Sequence, residues 1–348
     1  MPPLAAAADP LADWFAESAR DLPWRRRRSG YHALVSELML QQTQVSRVLE
    51  KFDPFIRRFP TATALANASE GDVLAAWQGL GYYRRARLLH AAAKAVVERH
   101  GGEVPSDVAS LLALPGVGRY TAGAIASIVH GARAPIVDGN VTRVFQRLAA
   151  REGSASDRAV TDWAWREAAG FVSAAASPAA SNEALMELGA TVCTPANPRC
   201  LACPVSHLCA AHRTGKADRI PAPKKRAARR DLVLVCARMT RGDGAVLLEQ
   251  RPTGGLWGGL WQPPTVESAD GESLGAAAAA ELLGLGVAVA PAGVVPFATT
   301  HRSIRFVVFE AKVRGKGAAL GVHGRRWVTP RELPEFALSN AAKRVLDL

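Results

Sequence analysis

Four cysteines lie close together in this chain and have the spacing of metal ligands. Cys193, Cys200, Cys203 and Cys209 are separated by six, two and five residues. Thiolates packed into so short a loop can enclose one metal centre, and the residues alone leave both a zinc ion and a 4Fe-4S cluster open. Since the chain begins without the basic segment and long apolar core of an export signal, we expect a cytoplasmic protein, in which cysteine ligands are the better interpretation than disulfides.

A second candidate site is the glycine-flanked turn at residues 114–118, which reads LPGVG. Glycine permits positive φ and close backbone approach, and amides that open a helix attract an anion such as a phosphate. The amides concerned are those of Gly116, Val117 and Gly118. The alternative is an ordinary turn between two helices. A helix is predicted to follow at 121–129, and Asp138 comes after the strand-like pair Ile136-Val137.

A third candidate is Glu37, in the segment 31–52, whose apolar spacing predicts one amphipathic helix. Glu37 lies near the edge of the apolar arc, while Gln41 and Gln42 fall inside it. Polar side chains on such a face need a partner or a function. A carboxyl group there is a candidate general acid, because burial keeps it protonated near neutral pH. The alternative is a helix break near Gln42-Thr43, with the glutamines capping the ends.

Several further elements must position these groups. The chain has 348 residues, enough for two domains, and its net charge of +12 favours a polyanionic partner such as nucleic acid, although an arginine-rich composition alone gives the same charge. Helical patterns extend to about residue 212. Residues 213–230 carry eight basic side chains and one acidic one, which indicates a basic linker, and the remainder alternates strand and helix patterns typical of an α+β domain.

The apolar stretch 276–297 is long enough to test as a membrane span, but it contains Glu281, Pro291 and Pro296, so we reject that interpretation.

The chain resembles the helix-hairpin-helix DNA glycosylases, and within them the adenine DNA glycosylases of the MutY type. The superfamily motif LPGVGxxTA, followed by an aspartate in the next loop, is present with Asp138 in the place of the aspartate. The segment 36–44, SELMLQQTQ, is closely similar to the adenine-specific signature. The cysteine spacing matches the 4Fe-4S loop of the MutY and endonuclease III families, so the resemblance implies that cluster as the cofactor.

The resemblance is strongest over 22–212 and weaker after 231, and it implies three parts. Residues 1–212 would form an all-α helix-hairpin-helix glycosylase domain, 213–230 the basic linker and 231–348 an α+β Nudix-like lesion-recognition domain. Within the first part, 30–134 would form the helical barrel, and 1–29 with 135–212 the cluster-bearing module. The stretch 255–264, GLWGGLWQPP, resembles a strand and loop of the Nudix-like domain. Because Glu272 and Glu281 are the only acidic residues that follow Asp270 before residue 287, the magnesium site of a catalytic Nudix domain is missing, and we expect this domain to bind without hydrolysing.

The chemistry implied by the resemblance is hydrolysis of the bond between adenine and deoxyribose, after the adenine has been flipped out of the duplex. Glu37 would protonate the leaving base, and Asp138 would remain anionic and face C1′ of the sugar. Asn140 would orient one of the carboxylates, and Tyr120 would donate to Asp138 or to the attacking water. Relatives that also cut the strand carry a lysine at position 120, and since tyrosine cannot form an imine we expect a monofunctional glycosylase.

The resemblance also assigns residues to DNA. Those expected to line the adenine pocket are Trp24, Arg25 and Glu183. Those expected to fill or hold open the gap in the helix are Gln42, Thr43, Leu80 and Tyr82. Thr300 and His301 align with the Phe-Ser-His turn that senses 8-oxoguanine, although Thr299 replaces the phenylalanine. By position alone, Glu183 is an ordinary exposed helix residue and Tyr82 is equally well a core aromatic. Gly116, Val117 and Gly118 would hold the DNA backbone.

The expected partner is therefore double-stranded DNA with A:8-oxoguanine or A:G mispairs. We expect the protein to be a monomer that does not bind a membrane and, in a bacterium, to associate with the nucleoid. Two other functions stay open. A thymine or uracil mismatch glycosylase of the same superfamily can also carry tyrosine at position 120. A non-catalytic lesion-binding iron–sulfur protein would bind damaged DNA without releasing a base.

Overall fold

The computed structural model describes residues 4–223, 228–313 and 324–348. Residues 224–227 of the expected linker and 314–323 of the expected Nudix-like domain lie outside the described residues. Contacts divide the chain into two units. The first comprises the described residues of 1–67 and 88–225, and the second those of 68–87 and 226–348. Among the described residues, no helix is long and apolar enough to span a membrane.

The described residues up to 213 form helices joined by loops. The helices are α1 (Ala8–Ser18), α2 (Pro23–Arg26), α3 (Gly30–Leu40), α4 (Val45–Arg58), α5 (Ala62–Ala66), α6 (Glu70–Ala76), α7 (Arg84–His100), α8 (Val108–Leu112), α9 (Arg119–Ala124), α10 (Gly139–Leu148), α11 (Arg158–Ala174), α12 (Pro178–Thr191) and α13 (Ala210–Arg213). A π-helical turn, Ile125–Val129, extends α9. Of these, α6 and the first residues of α7 belong to the second unit.

The single helix predicted over 31–52 is wrong, and the alternative of a break near Gln42 is confirmed. Gln41 is the C-cap of α3, and Gln42 has a φ of 58°, a left-handed conformation that no α-helix can contain. The apolar periodicity continues across the break because α3 and α4 pack against each other. Consequently Glu37 lies in the last turn of a short helix.

The predicted hairpin is confirmed, with α8 and α9 on either side of the glycine turn. Gly116 has a φ of 78°, and a Cβ there would lie 2.7 Å from Cβ of Leu88, so a side chain would not fit. The strand expected at Ile136-Val137 is absent, since residues 132–138 form no ladder. This segment instead brings Asp138, in an extended conformation, to the N-cap of α10.

The core of the helical unit lies between α1, α10, α11 and α12. Leu11, Phe145, Phe171 and Leu185 are buried there, and the rings of Phe145 and Phe171 meet edge to face at 5.7 Å. Helices α10 and α12 approach closely at Gly189, where a Cβ would lie 2.6 Å from Cβ of Asn140. Burial of this apolar face, at about 25 cal/mol per Å², holds α10 and α12 in register.

The second unit contains a seven-stranded mixed sheet and confirms the predicted α+β domain. Its strands are β1 (Arg230–Arg241), β2 (Val246–Gln250), β3 (Trp261–Gln262), β4 (Thr265–Glu267), β5 (Ala290–Ala298), β6 (Arg302–Val313) and β7 (Arg325–Val328), and its remaining helices are α14 (Ala276–Leu282) and α15 (Asn340–Leu346). The order is β3-β2-β1-β6-β5, with β4 on β1 and β7 on β2. Strands β1 and β6 are parallel, from Arg230 opposite Arg302 to Arg241 opposite Val313, and the other pairs are antiparallel. Helices α14 and α15 each contribute to an apolar core on the sheet.

Candidate active site

Glu37 lines a cavity of about 50 Å³ in the helical unit. Trp24, Arg25 and Glu183 line the same cavity. Burial raises the pKa of Glu37 to about 7, and the charges of Asp138 and Glu183 act in the same direction, whereas a hydrogen bond from Tyr120 opposes them. A carboxyl group with this pKa exchanges a proton readily near neutral pH, which is the property of a general acid.

Asp138 is held by hydrogen bonds at both oxygens. Its Oδ1 accepts from the backbone amide of Val141 at 2.7 Å, and its Oδ2 accepts from Nδ2 of Asn140 at 3.0 Å. Burial raises its pKa, while these hydrogen bonds and the charge of Arg143 oppose the shift. The two carboxylates therefore differ: Asp138 has donors that favour its anion, and Glu37 has mainly burial and like charges that favour its acid.

Arg143 connects Asn140 to the cysteine loop. Its Nη2 donates to Oδ1 of Asn140 and to the carbonyl of Gly189, both at 2.8 Å, and its Nε donates to the carbonyl of Cys193 at 2.8 Å. Because the amide group of Asn140 is fixed from this side, its Nδ2 must face Asp138. The carboxylate that Asn140 orients is thus Asp138.

Tyr120 is the second residue of α9 and turns its hydroxyl toward Glu37 and Met186. The hydroxyl hydrogen bonds to Glu37 and lies 3.1 Å from Sδ of Met186. Burial, together with the charges of Glu37 and Asp138, raises its pKa. The expected bond to Asp138 is thus replaced by one to the other carboxylate.

Glu183 is 3% exposed, so its interpretation as an ordinary exposed helix residue is wrong. Its Oε1 accepts from Nε of Arg25 at 3.2 Å, and its Oε2 pairs with Nη1 of Arg28 at 2.6 Å. Trp24, also in the cavity wall, meets the ring of Phe52 edge to face at 5.5 Å. Trp24, Arg25 and Glu183 therefore lie together in the lining of one cavity.

Glu187, one helical turn after Glu183 on α12, was missed by the sequence reasoning. It is buried, and its carboxylate pairs with Nε of Arg20 at 2.6 Å and with Nη2 of Arg25 at 2.9 Å. The local signal was the spacing of four residues between two glutamates, which places both on one helix face. Nothing local identifies arginines about 160 residues away as their partners.

The expected gap-filling residues differ in exposure. Gln42 and Thr43 form the turn between α3 and α4. In the second unit, Leu80 is 5% exposed and packs in the interior, so the expectation that it fills a gap in DNA does not fit its position in this structure. Tyr82 is 47% exposed, and the core interpretation of this residue is wrong.

Thr300 and His301 form the exposed turn between β5 and β6. Thr299 closes this turn: its Oγ1 accepts from the amide of Arg302 at 3.0 Å, and its own amide donates to the Arg302 carbonyl at 2.8 Å. The hydroxyls of Thr300 and Tyr82 are 2.9 Å apart. Two residues expected to contact DNA, separated by 218 positions, thus meet within the second unit.

The hairpin offers fewer amides than expected. The amide of Val117 already donates to the carbonyl of Leu114 at 3.2 Å, which closes the turn, so Val117 is not available to an anion. Gly116 and Gly118 are the remaining candidates.

The four clustered cysteines are free and line one cavity with Arg147. Nη1 of Arg147 donates to Sγ of Cys193 at 3.2 Å and to the carbonyl of Thr194 at 2.7 Å, and Sγ of Cys209 donates to the Arg147 carbonyl at 3.3 Å. Among the described residues, no three thiol, imidazole or carboxylate groups are arranged to hold a single metal ion. The sulfurs surround a space beside a buried guanidinium, a donor set suited to an anionic centre with several metal atoms.

Two family models match the chain. Residues 35–168 match the HhH-GPD superfamily of base excision DNA repair proteins, and residues 235–348 match the NUDIX domain. The human adenine DNA glycosylase is 35% identical over 395 residues, which cover 96% of this chain and 72% of the human protein. The adenine DNA glycosylase of Mycolicibacterium smegmatis is 48% identical over 57% of this chain and 67% of that protein.

Two solved structures share the helical fold. A thermostable thymine-DNA glycosylase superposes with a TM-score of 0.53 at 25% identity, over 61% of this chain and 97% of that one. Endonuclease III in a non-covalent DNA complex superposes with a TM-score of 0.51 at 23% identity, over 60% of this chain and 95% of that one.

Proposed function

The chain belongs to the adenine DNA glycosylase family, a base excision repair glycosylase that acts on adenine, and from this premise we propose that it hydrolyses adenine from A:8-oxoguanine and A:G mispairs as a monofunctional, monomeric enzyme. The observation that carries the proposal is the pair of carboxylates with different surroundings. Burial raises the pKa of Glu37 to about 7; it raises that of Asp138 as well, but Val141, Asn140 and Arg143 oppose the shift there. Breaking a bond between a base and a sugar needs these two roles.

Glu37 supplies the proton in this mechanism. Adenine leaves as a neutral base only if an imidazole nitrogen is protonated as the bond to C1′ weakens. Because the pKa of Glu37 is about 7, its acid form is populated at neutral pH and its proton is not held too tightly to transfer. The hydrogen bond from Tyr120 orients the carboxyl group for this transfer.

Asp138 stabilises the positive charge that develops on the sugar. Val141 and Asn140 fix both oxygens of its carboxylate, so little reorganisation is needed when charge appears at C1′. In this position it acts as an electrostatic stabiliser or a transient nucleophile. Since Tyr120 offers a hydroxyl where a lyase has an amine, water completes the reaction and an abasic site remains.

The cysteine loop is proposed to hold a 4Fe-4S cluster, bound by Cys193, Cys200, Cys203 and Cys209. Each cysteine binds a different iron in such a cluster, which agrees with thiols that surround a cavity instead of converging on one ion. The cluster would supply structural cross-links, and Arg147 would balance its negative charge. Arg143 then ties the same loop to Asn140.

The lesion preference is proposed to depend on Thr300 and His301. Oxidation of guanine to 8-oxoguanine replaces the acceptor N7 by an N7–H donor. A threonine hydroxyl can accept from that donor, and the turn leaves Thr300 exposed.

The DNA backbone is proposed to bind at the hairpin, where Gly116 and Gly118 would contact phosphates. The net charge of +12 also favours duplex DNA as the partner.

The test is single-turnover release of adenine from duplexes with A:8-oxoguanine, A:G or G:T pairs. Wild type should release adenine from the first two, whereas thymine release or binding without base release would support the other functions. Glu37→Gln should slow release by about 10² to 10⁴, and Glu98→Gln, an exposed glutamate of α7, serves as the matched control. Full activity of Glu37→Gln would falsify the mechanism, and efficient borohydride trapping would contradict the monofunctional assignment.

A further inference from the structure

The loop that carries Tyr82 is bound to the sheet region of the second unit through three side-chain donors. Oη of Tyr83, a residue 7% exposed, donates to the carbonyl of Leu338 at 2.9 Å. Nε2 of Gln78 donates to the same carbonyl at 3.3 Å. At the other end of the segment, Nη2 of Arg87 donates to the carbonyl of Gly258 at 2.7 Å. The segment 78–87 is therefore held at two places, both within the second unit.

The acceptor at Leu338 is itself fixed to the sheet. The amide of Trp261 in β3 donates to the carbonyl of Ala337 at 2.9 Å, and Trp261 and Leu338 form a parallel bridge. The ring of Trp261 packs edge to face on Phe336 at 5.0 Å. A loop bound to Leu338 thus takes its position from the sheet.

Inside the loop, side chains hold an unfavourable backbone conformation at Tyr82, whose φ is 48°. Nε1 of Trp77 and Nη2 of Arg85 both donate to the carbonyl of Gly81 at 3.1 Å. The guanidinium carbon of Arg85 also lies 5.5 Å from the ring centre of Tyr82. A left-handed non-glycine residue persists only where its surroundings enforce it, so these contacts determine where the Tyr82 hydroxyl lies.

That hydroxyl lies 2.9 Å from Oγ1 of Thr300. Either oxygen can donate, so the pair can present one donor and one acceptor in either order. Both residues are exposed. The distance between them therefore depends on what holds the Tyr82 loop, which is the contacts at Gly81 and the bonds to Leu338.

We propose that Tyr83 is a positioning residue for lesion selection, which holds Tyr82 against Thr300 so that their two hydroxyls read the base opposite adenine as one unit. This inference rests on the proposed preference for 8-oxoguanine. In this role Tyr83 does not contact DNA. Its phenol fixes the loop that carries Tyr82 and so affects the base only through Tyr82. A merely structural bond at the same place would affect stability and leave the preference unchanged.

The test compares Tyr83→Phe with Tyr31→Phe in the full chain. Tyr31 is a matched control, because its Oη donates to the carbonyl of Phe59 at 2.7 Å within the helical unit. Single-turnover rates and dissociation constants are measured for A:8-oxoguanine and A:G duplexes, together with Tm. Tyr83→Phe should lower the preference for A:8-oxoguanine about five-fold, the typical effect of one hydrogen bond. Tyr31→Phe should lower Tm to a similar extent and keep the wild-type preference.

A double variant tests the route. If Tyr83 acts through the hydroxyl pair, adding Tyr83→Phe to Thr300→Val should lower the preference no further, because the pair is already broken. Additive effects would overturn the proposal. Should Tyr83→Phe not fold, Gln78→Met removes the other donor to Leu338 and is expected to lower the preference in the same direction.

The outcomes separate the two claims. Equal treatment of both mispairs by wild type would overturn the 8-oxoguanine preference and this inference with it. A wild-type preference that Tyr83→Phe retains in full would overturn the inference alone.

Discussion

The cavity around Glu37 and the hydroxyl pair of Tyr82 and Thr300 differ in burial and charge. In and beside the cavity, Glu37 is buried with a hydrogen bond from Tyr120, Glu183 pairs with two arginines, and Asp138 accepts from the amide of Val141. The hydroxyl pair is neutral, exposed and carried by two loops. The first arrangement raises the pKa of an acid to about 7, and the second leaves two uncharged groups accessible.

This difference follows from what each region has to do. Proton transfer and charge stabilisation need groups that are removed from water and fixed before the reaction, because electrostatic effects are weak in a solvated site. Distinguishing two similar bases needs hydrogen-bonding groups that a base can reach, and each contributes only about 1 kcal/mol. Substitutions in the cavity should therefore have much larger effects than substitutions in the hydroxyl pair.

The largest effect is expected for Asp138→Asn. Asparagine can still accept from the amide of Val141 and cap α10, but it carries no charge to stabilise the sugar. Single-turnover adenine release should fall by about 10² to 10³. Asp107→Asn is the matched control, because Asp107 caps α8 through the amide of Ser110 at 2.9 Å and is exposed. An Asp138→Asn enzyme as fast as wild type would show that its charge is not used.

The second largest effect is expected for the pH dependence of adenine release. Glu37 must be protonated, and its pKa is about 7. Release should fall at low pH, where Asp138, whose pKa burial raises, becomes protonated, and it should fall about ten-fold for each pH unit above the pKa of Glu37. The decrease at high pH should occur at the same pH for A:8-oxoguanine and A:G duplexes, since the groups that shift the pKa of Glu37 are all in the helical unit. If the pH of this decrease instead changed with the base opposite adenine, the cavity and the hydroxyl pair would be coupled.

The raised pKa of Glu37 also predicts an effect on stability. The folded-state pKa of about 7 lies above the ordinary value of 4.5 for a glutamate, so the folded state binds the proton more tightly than the unfolded state. The free energy of unfolding is therefore highest, as far as Glu37 contributes, when the pH is below about 4.5. It decreases as the pH rises from about 4.5 through 7. Glu37→Gln should remove this loss and raise the free energy of unfolding at pH 8 by up to about 3 kcal/mol.

Denaturant titrations of wild type and Glu37→Gln at pH 5 and pH 8 measure this difference. The gain should be larger at pH 8. An equal gain at both pH values would contradict a buried carboxyl group that ionises near pH 7, and Glu98→Gln should show no gain at either.

The sequence predicted the fold class because its signals are local or periodic. The LPGVG turn, the apolar spacing of α11 and α12 and the β-rich segments at 232–239 and 304–313 each determine their own element. The break at Gln42 was not predicted as the main interpretation, because the apolar period continues through a residue whose φ is positive. The phase of a periodic pattern does not reveal a left-handed residue.

The site residues that the sequence did not predict depend on pairing between distant parts of the chain. Glu187 needs Arg20 and Arg25 as partners, and no property of α12 alone identifies them. Similarly, Leu80 and Tyr82 are two residues apart in one loop, yet one is buried and the other exposed. Residues 68–87 pack with the sheet in the second unit, and their contacts join residues 171 to 260 positions apart.

The smallest effect is expected for Thr300→Val, which keeps the shape of the side chain and removes its hydroxyl. The preference for A:8-oxoguanine over A:G should fall about five-fold, because one hydrogen bond is lost at an exposed position where water can replace it. The rate on A:G should be unchanged, since Glu37 and Asp138 keep their surroundings. Thr265→Val, at a hydroxyl that donates to the Pro263 carbonyl at 2.6 Å in the same unit, is the control. A loss of activity on both mispairs would place Thr300 in catalysis and remove the distinction between a buried region that performs the chemistry and an exposed one that selects the substrate.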